Sequence, residues 1–155
     1  MNNFFELFKN YHIICPFFGF ITAQVVKLFL TLISIKKLDP KKLIENGGMP
    51  SSHTATVCAL AFSLGIVEGF GSPLTAISFV LMMVVIIDAL GVRRATGRNA
   101  QVINKIVHDL FEEKTTKYLA KDLKEYVGHE PLEVFVGAII GIAVPYIVAA
   151  INGMI

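Results

Sequence analysis

The stretch ENGGMPSSHTAT, Glu45 to Thr56, sets two glycines, a proline, two serines and a histidine directly before a long apolar run. Two more polar clusters stand apart from it: DALGVRRATGR, Asp88 to Arg98, and GHEPLE, Gly128 to Glu133. Together they hold the residue types that bind and cleave a phosphate ester. Ser51 and Ser52 can donate hydroxyl hydrogen bonds, the glycines let backbone N–H groups approach an anion, and a helix beginning there adds its positive end. Arg93 and Arg94 add charge and a planar fork that matches phosphate oxygens. Of two histidines, one can attack phosphorus while the other protonates the departing alkoxide. A carboxylate four residues from a histidine, as Glu133 is from His129, can hold the imidazole in one tautomer. This chemistry requires no metal and no cofactor.

Taken singly, each cluster has an ordinary explanation. The glycines can be a turn, Ser51 or Ser52 a helix cap, the arginines topology anchors, and His129 with Glu133 a solvated pair. What favours the chemical reading is the set of elements that must position them. The chain has 155 residues, 54% of them hydrophobic and 17% charged, which is more apolar than a soluble core needs. Ser72 to Leu90 contains Asp88 as its one ionisable residue and is long enough to cross about 30 Å of hydrocarbon as a helix. Weaker spans are expected at Tyr11 to Ile35, His53 to Phe70 and Glu133 to Ile151, the second of them short. The first eleven residues lack the pattern of a cleaved signal peptide, so the first span is expected to be retained. Cys15 and Cys58 fall inside spans with no metal-ligand spacing and read as small core residues.

The expected fold is therefore all-α: one domain over residues 1–155, an integral membrane bundle of about four transmembrane helices. A cytoplasmic amphipathic helix is expected from Arg98 to Glu125, where Val102, Ile103, Ile106, Val107, Leu110 and Phe111 recur at three- and four-residue intervals, with an interruption near EEKTTK. Ser72 and Pro73 form a helix-start signature, and the short GSP connection predicts a tight hairpin of spans two and three. Apart from Lys9 and Lys27, every Lys and Arg lies in Lys36 to Lys42 or Arg93 to Lys124. With four spans those segments share one face, which the positive-inside rule makes cytoplasmic, with both termini outside. Cations kept for phosphate would give the same bias. The same topology brings all three polar clusters to one membrane face, where they can form one pocket. Inside the spans, Gln24, Lys27 and Asp88 are candidates for an intramembrane polar network, because unpaired charge there is costly. Lys27 can pair with Asp88, reach the phosphate pocket, or snorkel. His12 and His108 lack partner motifs and read as structural or surface residues.

PSSH at Pro50 to His53 resembles the PSGH motif of the type 2 phosphatidic acid phosphatase superfamily, and His129 with Glu133 is similar to its HxxxD element. The chain resembles most closely the superfamily's divergent branch, the divergent PAP2 family of small membrane proteins, through AQVVK at Ala23 to Lys27, KLD at Lys37 to Asp39, GGMPSSH, DALGVRRATGRNAQVIN and GHEPLEVFVG. The resemblance implies His129 as a nucleophile forming a phosphohistidine, Glu133 as its orienting partner, His53 as general acid, and Ser51 and Ser52 as phosphate ligands. Lys42 stands where the superfamily's first-motif lysine is sought, but Met49-Pro50 replaces the expected Arg-Pro. Leu123 stands where a third-motif arginine is expected, leaving Arg93 and Arg94 to supply that charge. Ser52 replaces the motif glycine, and Pro131 interrupts the interval from His129 to Glu133.

The expected activity is hydrolysis of a phosphorylated membrane lipid, polyprenyl or phosphatidate-like, at the bacterial plasma membrane. The alternative is a non-catalytic binder or transporter of anionic lipid or phosphate on the same scaffold, and a third reading is a structural or assembly protein. The expected partners are membrane lipids and, under any reading, a second copy in a homodimer; no nucleic acid is expected.

Overall fold

The computed structural model describes residues 4–35, 48–110 and 130–155. A 3-10 helix, Phe4–Lys9, leads into α1, Tyr11–Ile35. Then follow α2, Ser52–Glu68, α3, Pro73–Leu90, α4, Val92–Leu110, and α5, Pro131–Ile151. No strand occurs among the described residues. The helices start where side chains can take up their orphan N–H groups: Asn10 Oδ1 accepts from His12 N–H at 2.8 Å, and Ser72 Oγ accepts from Leu74 N–H at 3.2 Å with Pro73 in the first turn.

α1, α3 and α5 are long and apolar enough to cross a membrane. Their outward faces carry exposed Phe17, Phe29, Ile77, Val84, Phe135 and Ile147, a surface suited to lipid and not to water. α2 is a shorter apolar helix of 17 residues, about 26 Å long at 1.5 Å per residue. It sits at the centre, packed against α5, α1 and α3, so the element with the least apolar length is sheathed by protein.

The packing around α2 is made by small residues. Ala55, Ala59, Ala61 and Ser63 are fully buried. A Cβ on Gly141 would stand 2.5 Å from Ala55 O and 2.6 Å from Cys58 Cβ, and one on Gly137 would stand 2.5 Å from Ser51 O. Neither position has room for any side chain, so α5 lays a G-x-x-x-G stripe directly against the α2 backbone. In lipid, where burial gives helices no hydrophobic driving force, such close approach supplies the dispersion energy of association. At the far end, Tyr11 Oη donates to Pro145 O at 2.6 Å and joins α1 to α5. His12 Nδ1 lies 3.1 Å from Ser63 Oγ, which itself donates to Leu60 O, a bonding pattern consistent with a structural histidine.

The α2–α3 hairpin is closed by Thr75 Oγ1 donating to Gly69 O at 2.9 Å; Phe70 packs edge to face with both Phe62 and Phe79, and those two are tilted against each other. The amphipathic helix differs in its start from the sequence expectation. α4 begins at Val92, with Gly91 alone between it and α3. Arg93 and Arg94 thus open the amphipathic helix instead of ending a span, and the EEKTTK segment lies outside the described residues.

Candidate functional site

The site is built on the start of α2. Gly48 has φ +95°, a left-handed conformation that costs an L-residue energy. After a cis Met49–Pro50 peptide, Pro50 and Ser51 are buried. Ser51 is the N-cap: its Oγ accepts from Thr54 N–H at 3.3 Å and from Thr54 Oγ1–H at 3.0 Å, and both side chains are fully enclosed. Ser52, half-buried, is the first helical residue, and its carbonyl accepts from Thr56 Oγ1 at 2.7 Å. His53 follows on the exposed side. Three consecutive polar residues thus point to three environments, because a helix begins between the first and the second.

A main-chain hydrogen bond ties this start to that of α5: Ser51 N–H donates to Glu133 O at 2.9 Å. Pro131 occupies the first turn of α5, and Glu130 before it is extended at φ −74°, ψ 150°. A proline there is compatible with the helix because its missing N–H would be unsatisfied in any case, and the extended Glu130 is the conformation that a following proline favours. Glu133 Oε2 turns back to accept Glu130 N–H at 3.2 Å. The interval from position 129 to Glu133 therefore crosses a helix boundary instead of following one helical turn. His129 and Lys42 lie outside the described residues, as does Leu123.

The cations fall in two groups. Lys27, on α1, is 8% exposed, and its side chain runs to the motif loop: a Cβ on Gly48 would stand 3.2 Å from Lys27 Cε and 3.8 Å from Nζ. Gln24 lies one turn earlier on the same helix and is half-buried. On the other side of the fold, Arg93 Nε donates to Asp88 Oδ2 at 2.6 Å, a pair that straps α3 to α4 across Gly91. Arg94 lines an open cleft of about 250 Å³ with Leu90, Gly91, Ala95, Arg98 and Asn99, none of which belongs to the GGMPSSH loop.

This arrangement offers an anion the positive end of α2, a loop glycine without a Cβ, an exposed imidazole and the ammonium of the buried Lys27 reaching over from α1. Two contributors were not singled out by sequence reading. Thr54 completes the cap of Ser51, and Gly137 lets the α5 backbone meet Ser51. The second had a readable signal, the G-x-x-x-G spacing of GAIIG at Gly137 to Gly141 inside an apolar segment.

The sequence profile of the divergent PAP2 family matches residues 8–144, from the lead-in to α1 through most of α5. An uncharacterized membrane protein of Bacillus subtilis (strain 168), YuiD, is 38% identical over 153 residues, an alignment that covers 93% of this chain and 97% of the relative. No solved structure matches the chain.

Proposed function

The chain belongs to the divergent PAP2 family, and from that premise we propose that this membrane protein hydrolyses a phosphorylated membrane lipid at the α2–α5 start, without a metal. His129 attacks phosphorus, His53 gives a proton to the departing lipid alkoxide, and water then cleaves the phosphohistidine to release inorganic phosphate. The observation that supports this reading is the hydrogen bond from Ser51 N–H to Glu133 O, 2.9 Å long. It joins the helix start that carries His53 to the helix start that immediately follows His129. The lipid chain stays in the bilayer while the headgroup meets the loop, on the face that the Lys and Arg bias makes cytoplasmic. Polyprenyl and phosphatidate-like phosphates both fit.

The test is phosphate release by purified protein in lipid from polyprenyl phosphate and phosphatidate, with vanadate as inhibitor. Vanadate-sensitive release, lost in both His53→Ala and His129→Ala, is expected. Undiminished release by His129→Ala would remove the nucleophile from the mechanism.

A second reading has its own support. Ser51 is enclosed in its cap, and the Glu133 carboxylate closes the first turn of α5, so both do structural work that an anion-binding scaffold needs without hydrolysis. Binding of vanadate or lipid phosphate with no phosphate release in the same assay would favour a binder or transporter.

A further inference from the structure

We propose that Lys27 supplies the buried positive charge that holds a phosphate group at the GGMPSSH loop, so that the anion is gripped from the bilayer side by α1 as well as by the loop. This rests on the phosphate-binding part of the reading above and is independent of its hydrolytic part.

Lys27 lies deep in α1, seventeen positions into a helix of 25 residues, and is 8% exposed. An ionisable residue at such depth in a span marks a functional site by default. Its side chain goes to the loop. Gly48 leaves open the space beside Cε and Nζ that a Cβ would narrow to 3.2 and 3.8 Å, so the loop is shaped around the lysine. The helix register delivers it there: Gly19 packs on Ala55 and Ala59 of α2, and eight residues on, about 12 Å along α1, Lys27 meets the loop before α2. The two helices run antiparallel along this seam, so α1 carries the ammonium toward the positive end of α2, and both favour the same anion.

Two of the described arginines are placed differently. Arg93 is bonded to Asp88, and Arg94 lines the cleft at the α3–α4 junction. Lysine at a buried position also predicts a particular salt response. Exposed arginines lose their attraction as the Debye length shrinks, whereas a charge enclosed by protein and lipid is screened far less.

The experiment measures orthovanadate and inorganic phosphate binding to the full chain in nanodiscs of zwitterionic lipid, at low and high salt. The variants are Lys27→Met, Lys27→Arg and Arg94→Ala. Lys27→Met is expected to weaken vanadate binding about 10- to 100-fold, the loss of one charge-assisted hydrogen bond, at both salt concentrations. Lys27→Arg should restore part of the affinity, and Arg94→Ala should act weakly and at low salt alone. In the unmutated protein, the side-chain ammonium resonance of Lys27 should move on vanadate addition, which decides the matter even if Lys27→Met does not fold. Equal vanadate affinity in wild type and Lys27→Met, a Lys27 resonance that ignores vanadate, or wild type that binds neither anion would each overturn the inference. Lys27-dependent binding without phosphate release would retain it and remove the hydrolytic reading. Phosphate release with KM unchanged in Lys27→Met would do the reverse.

Discussion

At the α2–α5 seam backbone meets backbone, whereas at the α3–α4 junction two charged side chains meet in partial contact with solvent. Ser51 O and Ala55 O lie where Cβ atoms on Gly137 and Gly141 would have to be, and no rotamer change can relieve such a contact. Asp88 and Arg93 are both part-exposed, and side chains can shift where a backbone contact cannot. The first region fixes one helix start against the other through contacts that no side chain can adjust. The second can adjust its angle while the first stays in place. The helix start that carries His53 lies on this close-packed seam, as a preorganised site requires.

The comparison breaks most sharply at Gly141. Gly141→Leu forces a side chain into the α2 backbone and is expected to cost about 3 kcal/mol or more, read as loss of a monodisperse folded species and a lowered Tm in detergent. Gly48→Ala imposes a side chain on a left-handed residue beside Lys27, with an expected loss of about 1–2 kcal/mol in thermal unfolding and weaker vanadate binding. Ser51→Ala removes the α2 cap and leaves Thr54 N–H without that acceptor, for a loss of about 1 kcal/mol by the same measurement. Arg93→Ala should change stability by about 0–1 kcal/mol, with the difference shrinking further at high salt. A large, salt-independent effect at Arg93 would mean that the junction is as rigid as the seam.

Much of this frame can be read from the chain. Long apolar runs identify α1, α3 and α5, and Ser72-Pro73 marks the start of α3 to the residue. The α4 start escapes because Arg93-Arg94 after an apolar run looks like the end of a span, while the break is made by Gly91 alone. Within PSSH the letters give no sign that Ser51 is enclosed and His53 exposed, since that depends on which residue is the cap. Pro131 looks like an obstacle between His129 and Glu133 until the helix is seen to begin there. The destination of Lys27 is the least legible feature. Twenty-one positions separate it from Gly48, and their contact follows from the packing of Gly19 on α2, a tertiary fact with no local signature.

The small residues along α2 also set how the bundle responds to heat. Alanine and glycine have no rotamers to immobilise, so assembling this seam costs almost no side-chain entropy, whereas fixing a long side chain costs up to about 2 kcal/mol. The conformational freedom of the molecule is displaced outward, to Phe17, Phe29, Phe135 and their neighbours on the lipid-facing surface. Those exposed rings keep a rotamer freedom that the seam residues do not have. Warming is therefore expected to loosen this outer layer before the helix that carries the loop.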